Sequence, residues 1–367
     1  MKLRRTVRAA AGAAALTLLA TLAACGSADG RGTSTAGDSR SQTLKIGTAD
    51  VTLGAGWAAQ GILKDLAYNV EFVRFQNQLE VTAALQSGEI DGSFAALFTP
   101  VQAAAGAPTP WTAETAPFKV ILASSPADLG EGYPYGTSAA PKSGITELTA
   151  STVRGKRWTA VPGAGNYLTL LATLKHLGLT LDDIEYVPLS PTDGPVAFAQ
   201  SSVDLHSGLY SSINAGLQAG GRKLLNANTI GATTQAGLIA STASLNDSAK
   251  SKLWEDFVVR WVQHFHWKVT HPDEVQADLV ATVKYDAERA RLSWLGLGRN
   301  TAEPISEKYL TTTQTVAALA LEGKAIDRAV DDVSILFDDR FNTLIEAEAK
   351  RLGYDEAIRN SVATHSE

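Results

Sequence analysis

Four short stretches of the chain carry side chains that could hold a small polar molecule without reacting with it. The first offers Thr48, Asp50 and Trp57, the second Phe98 and Thr99, the third Gly165, Asn166 and Tyr167, and the fourth Ser207 and Tyr210. Residues 48–57, 95–99, 162–167 and 207–212 contain no Lys or Arg. An anion held there would meet neutral donors and the unpaired N–H groups of helix N-termini, which carry roughly half a positive charge. Such donors suit a compact oxyanion such as a sulfonate, and the rings suit an apolar tail. Each residue also has an ordinary structural use, core packing for the rings and capping for the hydroxyls. Asp50 cuts the other way. Its carboxylate repels an anion, so it either caps the next helix or favours a cationic or zwitterionic ligand such as an amino-sulfonate.

Other reactive groupings fail on spacing. Gly163-Ala164-Gly165 with Glu185 imitates a dinucleotide fingerprint, but Leu168 stands at the third glycine position, where close helix–strand packing needs a glycine. His264 and His266 are two residues apart on a helical pattern and point away from each other, so with His271 they make no chelate. Neither Gly-x-Ser-x-Gly nor His-Glu-x-x-His occurs. The one cysteine, Cys25, rules out an internal disulfide and a cysteine-based zinc cluster. No metal and no cofactor are expected. With 32 Lys plus Arg against 38 Asp plus Glu, a formal charge of −6 and no basic cluster, the chain is a poor candidate for nucleic acid.

To present the four stretches together, strands must end where they begin. The chain has 367 residues, 45% of them hydrophobic, enough for two domains or one large one. Short strands are expected at 44–47, 68–75, 90–95 and 118–123. Between them helices are expected over 57–66 and 78–87 and from Thr99-Pro100 onward, where Thr would cap and Pro would take the first turn. A Gly-, Pro- and Tyr-rich stretch at 130–136 reads as a link. A second run repeats the pattern, with strands at 157–161, 184–188, 203–206 and 223–225 and helices at 166–177, 195–200 and 212–218. Residues 247–345 read as mainly helical, with Leu253, Phe257, Trp261 and Phe265 on one face. The charged segment 346–367 is expected to fray. Alternating strands and helices imply mostly parallel sheets flanked by helices, and ligands of open α/β sheets sit beyond the carboxyl ends of the strands. That rule selects the four stretches.

The N-terminus reads as an export signal. Lys2, Arg4, Arg5 and Arg8 precede an uncharged run from Ala9 to Ala24. The run is shorter than the roughly 20 residues a spanning helix needs. It ends in Leu22-Ala23-Ala24-Cys25-Gly26, which resembles the lipobox of bacterial lipoproteins. The resemblance implies cleavage after residue 24 and a lipid on the Cys25 thiol. Residues 26–42 contain no large apolar side chain and read as a flexible tether within 25–42.

In its order of parts the sequence resembles the solute-binding proteins of ABC importers with the type II periplasmic-binding fold, in their sulfonate, taurine and nitrate branch. Leu44-Lys45-Ile46-Gly47 is similar to that family's first strand, and Ala84-Leu85-Gln86-Ser87-Gly88-Glu89-Ile90-Asp91 to its first helix-to-strand turn. Arg154-Gly155-Lys156-Arg157 with Gly163-Ala164-Gly165-Asn166, and Leu177-Gly178-Leu179 before Asp183-Ile184, resemble two later motifs. The chain departs from the family at Thr48-Ala49-Asp50 and at Ser207-Gly208-Leu209-Tyr210-Ser211, where many members carry Trp-Asp-Pro. The resemblance implies a two-lobe protein with a hinge: lobe 1 from 43–123 and a helical return at 236–345, lobe 2 from 132–230. It implies a lipid-anchored extracytoplasmic monomer that takes a small organic anion to ABC permease subunits and performs no catalysis. The alternatives are a receptor for a neutral or cationic solute, such as a thiamine pyrimidine precursor, and an extracytoplasmic enzyme.

Overall fold

The structure, a computed structural model, describes residues 42–127, 132–232 and 234–364. The expected export signal, Cys25 and the tether up to residue 41 lie outside the described residues.

Among the described residues, ten strands form two five-stranded sheets. The first contains β1 (Thr43–Thr48), β2 (Asn69–Arg74), β3 (Gly92–Ala96), β4 (Phe118–Ser124) and β10 (Ala236–Ser241), in the order β2-β1-β3-β10-β4. The second contains β5 (Tyr135–Ala139), β6 (Arg157–Ala160), β7 (Glu185–Pro188), β8 (Leu205–Leu209) and β9 (Arg222–Asn226), in the order β7-β6-β8-β5-β9. β1 runs parallel to β2 and β3, and β6 parallel to β7 and β8. The chain passes from the first sheet to the second into β5 and returns into β10. Those two strands run antiparallel to their neighbours. The sheets are thus mostly parallel, each with one reversed strand where the chain enters from the other.

Neither β5 nor β10 was anticipated from sequence. Every residue of β5 is buried, as are five of the six in β10. A strand buried on both faces has no polar alternation to betray it. The stretch read as a link therefore ends inside a strand.

Helices fill the connections. In the first half they are α1 (Trp57–Gln60), α2 (Gln78–Ser87) and α3 (Phe98–Gly106), and in the second α4 (Ala150–Val153), α5 (Gly165–His176), α6 (Asp193–Ala199) and α7 (Asn214–Gln218). The return contributes α8 (Thr242–Asn246), α9 (Ser248–Thr270), α10 (Pro272–Asp278), α11 (Ala287–Ser293), α12 (Glu307–Glu322), α13 (Asn342–Leu352) and α14 (Tyr354–Thr364). Leu253, Phe257, Trp261 and Phe265 of α9 do share a buried face. No helix among the described residues is long and apolar enough to cross a membrane.

Three expectations about helices change. α1 stops at Gln60 because Gly61 takes a left-handed conformation there, φ 71°. α3 begins at Phe98, one residue before the expected Thr99 cap, because the Leu97 N–H donates to Gln235 O, 2.9 Å away on the incoming chain. Thr99 therefore lies within the first turn and caps nothing. The C-terminal segment is helical to Thr364 instead of frayed. Tyr354 is buried and its hydroxyl donates to Asn300 O at 2.6 Å, while Ala357 and Ile358 pack on the core behind the first sheet. Amphipathic periodicity, masked by the segment's charge, anchors it.

Candidate ligand-binding site

The carboxyl ends of β3 and β6 bring the second and third stretches into contact. Thr99 Oγ1 donates to Gly163 O at 2.8 Å, both buried or nearly so. Gly163 sits at φ 71°, a left-handed conformation that favours glycine and turns its carbonyl toward α3. In the first turns of the two helices, the rings of Phe98 and Tyr167 stand 5.8 Å apart, and Tyr167 meets Tyr186 at 5.2 Å. Desolvation pushes the Tyr167 hydroxyl up to about 12, so it stays protonated and available as a donor. Gly165 opens α5 directly against the returning chain, where an added Cβ would collide with Thr234 Cγ2. Asn166 lies over Gly208 and beside His206. The first N–H groups of α5 have no intrahelical acceptor. Phe98, Thr99, Gly165, Asn166 and Tyr167 thus form one constellation drawn from both sheets.

Beside it lies a groove of about 560 Å³ between α2 and α3, bordered by Leu79, Thr99, Gln102, Trp111 and Pro117. Gln102 also approaches the Gly163 turn, since a Cβ on Gly163 would stand 2.9 Å from Gln102 Oε1.

The first stretch is placed differently. Thr48 is buried, and its hydroxyl accepts from the Asp50 N–H at 2.9 Å. Asp50 Oδ1 accepts from both the N–H and the hydroxyl of Thr52, each at 2.8 Å, leaving its other oxygen exposed. The N-terminus of α1 is already answered by a carboxylate, since the Gly56 N–H donates to Asp278 Oδ2 at 2.6 Å. Trp57 faces inward. Its indole stacks on His264 with centroids 4.0 Å apart, touches Phe72, Phe257 and Trp261, and donates to Leu53 O.

In the fourth stretch, Ser207 is fully buried. Its hydroxyl pairs with Thr137 Oγ1 at 2.7 Å and accepts from Trp158 Nε1 at 3.0 Å. Tyr210 donates to Leu225 O at 2.8 Å, and Lys223 Nζ lies 4.3 Å over its ring. Trp57, Ser207 and Tyr210 therefore spend their polar atoms on internal partners.

Several residues near the strand ends were not nominated as ligand contacts from sequence, although His206 is, with Asp50, one of the titratable groups the sequence places near the loops. His206, on β8, is buried with Nδ1 unpartnered, and desolvation pushes it down to about 4. Gln235 Oε1 is likewise buried without a partner. Tyr133 OH accepts from the Thr234 N–H at 2.5 Å, tying the outgoing connection to the returning one. Lys268 of α9 is half-buried, with Nζ 5.0 Å over the Phe265 ring and 3.4 Å from Leu297 O. The rule that picks loops beyond strand ends cannot find a lysine on a helix of the return.

Two sheets of mixed strands joined by paired connections and flanked by helices define the periplasmic-binding-protein architecture, and solved structures share it. The aliphatic sulphonate binding protein SsuA of Escherichia coli is 19% identical at a TM-score of 0.65, the match covering 81% of this chain and 92% of that one. The alkanesulfonate-binding SsuA of Xanthomonas axonopodis pv. citri, solved with bound MOPS, is 19% identical at a TM-score of 0.63, covering 83% and 97%. The desulfurization enzyme DSZB is 14% identical at a TM-score of 0.59, covering 84% and 99%. No protein-family profile and no curated protein sequence matches the chain. The similarity therefore establishes the fold.

Proposed function

We propose that this chain is the extracytoplasmic solute-binding lipoprotein of an ABC importer. Lobe 1 (43–123 and 236–345) and lobe 2 (132–230) hold a small organic anion, an aliphatic or aromatic sulfonate, and hand it to permease subunits. In this reading the signal at 1–24 exports the chain and a lipid on Cys25 anchors the monomer to the outer face of the cell membrane. The observation that carries the proposal is the constellation at the ends of β3 and β6. Donors at the start of α5, the Asn166 amide and the Tyr167 hydroxyl surround aromatic surface from Phe98 and Tyr167, a polar head site beside an apolar one. Two of the proteins that share the fold are described as sulfonate-binding, which points the same way.

The likeness to DSZB favours an enzyme as the second reading. Against it, the titratable groups at this constellation are Tyr167 and Tyr186, pushed up by burial, and His206, pushed down by burial, so none of the three changes charge near neutrality. Isothermal calorimetry with ethanesulfonate, taurine, nitrate, spermidine and a hydroxymethylpyrimidine tests the proposal. Saturable, reversible binding of a sulfonate, recovered unchanged, is expected. Binding confined to spermidine or the pyrimidine, or turnover of any of them, would defeat it. Loss of detergent partitioning in Cys25→Ala is the expected sign of the anchor.

A further inference from the structure

The two sheets share no strand, yet one apolar core runs through both halves of the molecule. It contains Phe98 and Val101 of α3, which follows a strand of the first sheet, and Leu171 and Leu174 of α5, which follows a strand of the second. Ala317 and Ala320 of α12 belong to the same core, and all six side chains are buried. α12 packs on α3 and on α5 alike. The two sheets and their helices accordingly form one compact unit.

α12 is fastened to the first half at both ends. At its start Tyr309 is buried, and its hydroxyl pairs with Ser125 Oγ at 3.1 Å, just beyond β4. Past its end, Arg328 Nη2 donates to Ala104 O at 2.9 Å and Ala107 O at 2.7 Å, at the C-terminus of α3. Further on, the Asp338 N–H donates to Val120 O of β4 at 3.0 Å. Between these anchors the last turn of α12 reaches the second half. Gly323 lies against Leu171, where an added Cβ would stand 3.0 Å from Leu171 Cδ2. Lys175 Nζ donates to Glu322 Oε2 at 2.6 Å, and Lys324 pairs with Asp182. Both ion pairs are exposed, and exposed pairs contribute little. The apolar contact therefore does most of the holding.

A swing of one half away from the other would pull α5 off α3 and α12. It would expose these side chains to water, which is unfavourable in proportion to the apolar area uncovered. The contact extends along α5 as far as Lys175, about three turns from Gly165 at the start of that helix. A modest opening at the strand ends does not avoid it.

We infer that α12 is a strap that keeps the two halves together whether or not a solute is present, so that a solute enters and leaves by local movement at the strand ends and not by parting of the halves. The strap itself needs no ligand. Its consequence for entry rests on the solute-binding reading above.

Thiol accessibility tests the strap directly. In a Cys25→Ala background each variant carries a single thiol. Ala320→Cys places it in the seam and Ala240→Cys places it in β10, both at positions with no exposure and with the same change of size. Iodoacetamide should label the two at rates within about threefold of each other, since both thiols wait for the core to unfold. Labelling of Ala320→Cys about tenfold faster or more, with the circular dichroism of both unchanged, would show that the halves part on their own and would overturn the strap. Ala317→Cys repeats the comparison should Ala320→Cys not fold.

A bridge tests the consequence. Lys175→Cys joined to Glu322→Cys by bismaleimidoethane should change the affinity for ethanesulfonate, read by calorimetry, by less than about twofold. A loss of about tenfold or more on bridging would mean that binding requires the halves to part, and the inference falls. A protein that binds no sulfonate even without the bridge removes the solute-binding reading, while labelling at position 320 still decides the strap.

Discussion

Thr99 Oγ1 and Gly163 O, one on the first helical turn after β3 and the other on the turn after β6, are joined by a hydrogen bond of 2.8 Å that links the two sheets directly. The hydroxyl is therefore a structural donor in this conformation, and any ligand that needed its proton would have to displace Gly163, whereas a ligand donor could still reach its lone pairs.

Replacing Thr99 by Val keeps the shape and removes the donor. The buried Gly163 carbonyl loses its partner, and the unfolding free energy should fall by about 1 kcal/mol. A urea titration reads this as a lower midpoint at unchanged slope. An unmoved midpoint would show that the contact contributes nothing.

Gly165→Ala should be costly for a different reason. The new Cβ meets Thr234 Cγ2 head-on, and overpacking of this kind costs about 1–3 kcal/mol. Thr234→Ser removes the obstructing methyl, so the double variant should recover most of the loss. A double-mutant cycle with no coupling between positions 165 and 234 would contradict the packing.

The protein should lose stability as pH falls. His206 is buried and its folded-state value lies near 4 against an unfolded value near 6.5. Between those limits the unfolded chain binds a proton that the native state refuses, so stability is complete above pH 6.5 and declines toward pH 4, by about 3 kcal/mol from this one group. His264, also lowered by burial, acts in the same direction. Melting temperature measured from pH 7.5 to 4 should therefore slope downward, and His206→Gln should flatten the slope without abolishing it. A slope identical in the variant would assign the acid loss elsewhere.

Asp278 holds the loop before α1 by accepting from the Gly56 N–H at 2.6 Å. Hydrogen bonds to a charged acceptor contribute about 1.5–3 kcal/mol. Asp278→Ala should lower stability by that order and speed exchange of the Gly56 amide. Unchanged exchange of that amide would mean that the loop is held by something else.

The strand–helix alternation, the apolar face of α9 and the start of α5 were legible because each follows a local rule: period, capping or a glycine stop. The order of those parts also sufficed to indicate the two-sheet architecture. Local rules gave no sight of β5 and β10, whose burial on both faces erases periodicity. They placed the start of α3 two residues late, with Thr99 in place of Leu97 at the cap, where Gln235, far along the chain, supplies the acceptor for the Leu97 N–H.

Among the site residues, sequence could nominate loops beyond strand ends but not say which side chains turn inward. Trp57 and Ser207 look like ligand contacts by type and are buried by neighbours from α9, β5 and β6. Lys268, on a helix of the return, lies outside the loops that the strand-end rule selects. Residue type and local spacing determined the architecture and the kinds of donors on offer. Only tertiary structure decided which of them meet, because a contact such as Thr99 with Gly163, or the stacking of Trp57 on His264, depends on where distant segments cross and on what that crossing shields from water.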